Sequence, residues 1–141
     1  MKKTYVSILI LAIAALAAAC GAGSGSGPAG KTIKSGPAGN NLTATLSSAD
    51  GVLKKGKQDF TLTFTDASGK PVDVGSVALN FHMPAMGTMP VMNNPATFTT
   101  TSTPGVYAGK VDLEMGGEWQ AQITYDGPAG KGKANIPITA Q

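Results

Sequence analysis

Val77-Ala78-Leu79-Asn80-Phe81-His82-Met83-Pro84-Ala85-Met86-Gly87-Thr88-Met89-Pro90-Val91-Met92 changes period partway along. Up to Met83, large apolar residues alternate with Ala78, Asn80 and His82, the period of a strand with one buried face. From Met83 on, methionine returns at every third position, and Pro84, Gly87 and Pro90 exclude a helix. The stretch predicts a strand that buries Val77, Leu79, Phe81 and Met83, followed by a methionine-rich loop. On this reading His82 and Asn80 face away from the core.

The period of two recurs on both sides. Leu42-Thr43-Ala44-Thr45-Leu46 alternates, and Phe60, Leu62 and Phe64 alternate with threonines. Asp66-Ala67-Ser68-Gly69-Lys70-Pro71 is a turn cluster. Downstream come Thr97–Thr101, Val106–Leu113, the series Trp119, Ala121, Ile123 and Tyr125, and Lys133–Thr139. About seven short strands at this spacing predict an all-β chain, an immunoglobulin-like β-sandwich over 42–141, with a small β-barrel as the alternative. Trp119 heads an inward-facing series and is expected to anchor the core. A partly exposed ring beside the methionines is the other reading.

The N-terminus reads as a targeting segment. Lys2 and Lys3 precede an apolar run from Val6 to Ala19, too short for a comfortable membrane span, which takes about 20 residues. The run ends in Leu16-Ala17-Ala18-Ala19-Cys20, which resembles a bacterial lipobox. The resemblance implies a lipoprotein signal peptide over 1–19, cleavage before Cys20 and lipidation of that cysteine. Acyl chains on Cys20 would hold the protein to a membrane without a spanning helix. Gly21 after the cysteine favours the periplasmic face of the outer membrane in a Gram-negative cell envelope. Residues 20–41 read as the lipidated cysteine and a flexible Gly/Ser/Pro/Ala linker.

Composition removes several function classes. Cys20 is the only cysteine, so no internal disulfide forms. Beyond it nine lysines face eight acids, and no lysine cluster is interleaved with aromatics, so nucleic acid is not an expected partner. One histidine, no free thiol, and no phosphate loop or nucleophile elbow give no basis for an enzyme.

Four of the six methionines lie between Met83 and Met92, beside the only histidine. Thioethers are soft ligands that favour Cu(I), and imidazole also suits copper. Methionine is equally an apolar filler of irregular gaps, and an exposed apolar patch marks a partner site. The candidate metal residues are His82, Met83, Met86, Met89 and Met92. Alternation makes Met83 the one most readily explained as core. In an extended polyproline conformation the sulfurs would share one face but stand about 9 Å apart, at about 3.1 Å per residue. One ion then requires the loop to curl, and Gly87 permits that.

Phe81-His82-Met83-Pro84-Ala85-Met86-Gly87, Thr103-Pro104-Gly105-Val106-Tyr107 and Glu114-Met115-Gly116-Gly117-Glu118-Trp119, in this order, resemble the YtkA-like domain, related to FixH-type proteins. The resemblance runs from about Leu42 to the C-terminus. It implies an immunoglobulin-like extracytoplasmic domain, often near copper handling or oxidase assembly. It carries functional positions onto Met83 and Met86, with Met115 and Trp119 as structural or supporting residues. A histidine often found in the family's methionine loop has no counterpart after Met86, which favours a thioether Cu(I) site over a Cu(II) one. The sequence thus predicts a membrane-anchored envelope lipoprotein that binds Cu(I) for copper handling or delivery, with a cuproprotein or other envelope protein as partner. The alternative is a structural or protein-interaction module without metal.

Overall fold

The structure, a computed structural model, describes residues 30–141. The expected signal peptide, Cys20 and residues 21–29 of the expected linker lie outside them. The described chain is all β. Its strands are β1 (Lys31–Gly39), β2 (Leu42–Ser48), β3 (Gly56–Thr65), β4 (Ser76–Met83), β5 (Met92–Pro95), β6 (Thr97–Thr100), β7 (Val106–Leu113), β8 (Gly117–Gly127) and β9 (Gly130–Ala140).

They form two antiparallel sheets, β1-β2-β3-β7-β6 and β5-β4-β8-β9. Without β1, the order is that of an immunoglobulin-type sandwich with an extra strand beside the third. The expected sandwich is therefore present, and the barrel alternative is not. Each period-two series lies on a strand and buries the predicted face: Leu42, Ala44 and Leu46; Phe60, Leu62 and Phe64; Leu79, Phe81 and Met83; Trp119, Ala121, Ile123 and Tyr125. Val77, near the start of its strand, is only half-buried against the core.

Aromatic rings hold the two sheets together. Phe60 makes edge-to-face contacts with Phe81 across the core, at 5.8 Å between centroids, and with Phe98 at 5.6 Å. Phe64 contacts Tyr107 and Tyr125 in the same way. Gly109 makes room for this packing, because a Cβ there would lie 2.5 Å from Phe60 Cζ and 2.8 Å from Phe98 Cε1.

Two strands lie where none was expected. Met92–Pro95 is β5, so the methionine segment is the end of a β4–β5 hairpin, not a free loop. Lys31–Gly39, read from composition as linker, is β1, hydrogen-bonded along β2. The reason is local. Asn40 and Asn41 both take positive φ, 51° and 59°, the requirement of a type I′ hairpin turn, and fold the glycine-rich segment back onto β2. Pro37 is tolerated because β1 is an edge strand. Tyr125 Oη then donates to Ala38 O at 2.9 Å and accepts from Asn40 Nδ2 at 3.1 Å, tying β1 to the opposite sheet. Ala38 itself is fully buried.

Ala38→Asp distinguishes a packed strand from a spacer. It strands an unpaired charge in the core and should destabilise by about 3 kcal/mol or more, read as a lower urea midpoint. An unchanged midpoint would show that β1 does not pack.

Candidate metal site on the methionine hairpin

The site is built on β4, whose inward residues Phe81 and Met83 fix it to the core. Its partner β5 pairs His82 with Asn93 and Met83 with Met92. Past the two prolines the ladder closes once more, between Met86 and Met89. Met86 N donates to Met89 O at 3.2 Å, and Met89 N donates to Met86 O at 2.9 Å. Gly87, with φ 58°, and Thr88 form the two-residue tip. Positive φ at the first tip position alone is the type II′ pattern, which calls for glycine there.

All of these pairs share one register, so alternation assigns the faces. Met83 and Met92 face inward. Met83 is buried, and Met92 packs against the core. His82, Met86 and Met89 share the outward face; Met86 is 55% exposed, while His82 and Met89 are half-buried. The five candidate residues thus fall into a core pair, an outward thioether pair at the tip, and an outward imidazole further down.

His82 meets a neighbour on β5. Asn93 Oδ1 accepts from Asn80 Nδ2 at 2.9 Å and lies 2.9 Å from His82 Nδ1. With Oδ1 as the acceptor, the contact uses a protonated Nδ1 and leaves Nε2 as the ring nitrogen outside this bond. Metal-binding histidines are commonly oriented by such a bond on the other ring nitrogen. Asn80 was foreseen on this face. Asn93 was not, because its partnership depends on a register that no short-range signal reveals.

Met115 and Trp119 meet beneath the hairpin. Trp119 is 1% exposed, and its Nε1 donates to Met115 O at 3.1 Å. Met83 Cε lies close to Gly117, where a Cβ would stand 3.2 Å from it. The β7–β8 turn is thereby fixed against the base of the hairpin.

Beside the tip runs a groove of about 450 Å³, bounded by Pro84 and Met86 on one side and by Glu118, Trp119, Pro137 and Val52 on the others. Val52 belongs to a loop held by Ser48 Oγ, which donates to Asp50 Oδ1 and accepts from Gly51 N and Val52 N. Lys54 pairs with Asp50. Hydrogen bonds from Lys54, then Ser48, then Val52 N lower the Asp50 carboxyl from its ordinary 3.8 to about 2. Among the described residues no three His, Cys, Asp or Glu side chains gather to hold a metal ion.

The YtkA-like family model matches residues 38–124, which include the whole hairpin and Trp119, and the chain belongs to that family. No curated protein and no solved structure matches the chain.

The Asp50 carboxylate is stabilised in the folded state, so its contribution is complete above pH 3.8 and is lost as pH falls toward about 2. Asp50→Asn should flatten the decline of the urea midpoint across that window. Some slope should remain, because Ser68 and Lys70 N also hold Asp66 low. Parallel profiles for wild type and variant would show that Asp50 does not brace this loop.

Proposed function

We propose that the chain is a lipid-anchored cell-envelope protein that holds Cu(I) between Met86 and Met89, for storage or for delivery to a partner protein. The observation that carries this reading is the direct pairing of those two residues across the Gly87-Thr88 tip. Side chains directly opposite in an antiparallel pair have Cβ atoms about 4.5–5.5 Å apart. Two sulfurs on one ion stand about 4.6 Å apart, twice the metal–sulfur length of about 2.3 Å. Both thioethers can therefore meet one ion with the turn as it stands. Thioether donors favour Cu(I) over Zn(II).

His82 lies four positions before Met86, about 13 Å along a strand that rises about 3.3 Å per residue. It stands outside the pair's immediate reach, as an oriented imidazole further along the same face. Met83 and Met92 support the hairpin from the core side. The anchor rests on Lys2, Lys3, the apolar run from Val6 to Ala19 and Cys20.

A second reading has its own observation. Met86 at 55% and Val91 at 50% are the large apolar side chains that stand exposed among the described residues, and both sit on this hairpin. Such a patch fits a protein-interaction module without metal.

An anaerobic Cu(I) competition titration separates the two. Replacing Met86 or Met89 by leucine should weaken binding about tenfold, or about 1.4 kcal/mol. The double variant should abolish it, while Met83→Leu and His82→Ala retain it. Negligible binding by the wild type would end the copper reading and leave the interaction module.

A further inference from the structure

We propose that Met86 is a methionine-sulfoxide site: a peroxide oxidises it ahead of the other methionines of residues 30–141 and thereby removes the soft donor from the hairpin tip. The loss of donor function rests on the copper reading above; the selectivity does not.

The five methionines differ sharply in access. Met86 is 55% exposed, and a Cβ placed on its neighbour Gly87 would meet nothing within 4 Å, so the tip stands open. Met83 is 3% exposed. Met92 and Met115 are packed against the core. Met89 is half-buried. Methionine oxidation requires the oxidant to reach the sulfur. The sequence repeat makes Met83, Met86, Met89 and Met92 look equivalent; the hairpin does not.

The step balances with hydrogen peroxide as co-reactant. The Met86 sulfur attacks one peroxide oxygen and the O–O bond breaks. An S–O bond forms, and the departing hydroxide takes the proton from the new S–OH to leave a sulfoxide and water. Sulfur loses two electrons and the peroxide gains them. The product is polar and reversible by sulfoxide reductases, and its oxygen is a hard donor where a soft thioether stood.

The change would alter the chemistry of the tip without unfolding it. The Met86–Met89 bonds that close the turn are main-chain bonds, and the Met86 side chain contributes to a groove wall, not to the core. A two-state donor results, with one oxygen atom separating the states.

The test treats the intact chain with graded hydrogen peroxide, maps sulfoxides by peptide mass spectrometry, and then measures Cu(I) retention. Met86 should oxidise about tenfold faster than Met83, following exposure, with the thermal midpoint unchanged at one oxygen per chain. Met86→Leu should remove the fast phase. The monosulfoxide form should lose Cu(I), and sulfoxide reductase should restore it. Equal rates at Met86 and Met115, or a fast phase that survives Met86→Leu, would overturn the assigned site. A monosulfoxide that keeps Cu(I) as well as the untreated chain would overturn the loss of donor function. Selective oxidation in a chain that never binds Cu(I) would uphold the modification site and fail the copper reading alone.

Discussion

The sandwich depends on a run of edge-to-face rings that crosses from one sheet to the other and back. Phe81 in β4 meets Phe60 in β3, Phe60 meets Phe98 in β6, Phe98 meets Tyr107 in β7, Tyr107 meets Phe64 in β3, and Phe64 meets Tyr125 in β8. Such contacts add about 0.5–1.5 kcal/mol each beyond area burial. The geometry matters as much as the energy. A ring wedged edge-on leaves its neighbour little freedom to slide, so the position of β4 against β3 in the facing sheet is fixed at Phe81. Gly109 is the concession that makes this possible, since any side chain there would occupy the space of Phe60 and Phe98.

That anchoring reaches the hairpin. Phe81, Met83 and Met92 hold its base from inside, and the ladder His82–Asn93, Met83–Met92 keeps one register out to Met86–Met89. Between base and tip, Pro84 and Pro90 lack the N–H to donate to a ladder, so the middle of the hairpin is held at both ends and loosely between them. The tip therefore holds the main chains of Met86 and Met89 paired beyond a segment that the ladder does not close.

The period of two made most of the strands legible because each buries one face, and burial writes itself into alternation; Thr97–Thr100, half-buried only at Phe98, is legible from its threonines instead. The two missed strands bury almost nothing. Only Ala38 of β1 is buried, and β5 contributes Asn94. Composition then misleads: Gly-Pro-Ala-Gly is a strand end at Gly36–Gly39 and spans a turn at Gly127–Gly130. The string does not decide between them; its neighbours do. In the first, Asn40-Asn41 turns the chain and Tyr125 captures Ala38 O. In the second, strands on both sides converge on Pro128 and Ala129. Asn40-Asn41 was the available signal for β1, a pair of residues that tolerate positive φ. Nothing comparable announced the Asn93–His82 contact, which needs the hairpin register first.

The methionine repeat posed packing against chemistry as rivals for one segment, and the hairpin divides the segment between them. A three-residue spacing on a strand ladder necessarily alternates faces: Met83 inward, Met86 outward. Reflection across the turn repeats the assignment, Met89 outward and Met92 inward. The same four residues thus supply a pair turned toward the core and a pair turned outward, and only the outward pair enters the proposed copper reading. A polyproline segment would have put all four on one side and forced a single role on them. The strand ladder instead lets apolar filling secure the arm while Met86 at its end remains exposed, and on the proposed reading that exposure makes its sulfur both usable and oxidisable. Burying Met86 to protect its sulfur would close the access that any ligand or partner needs.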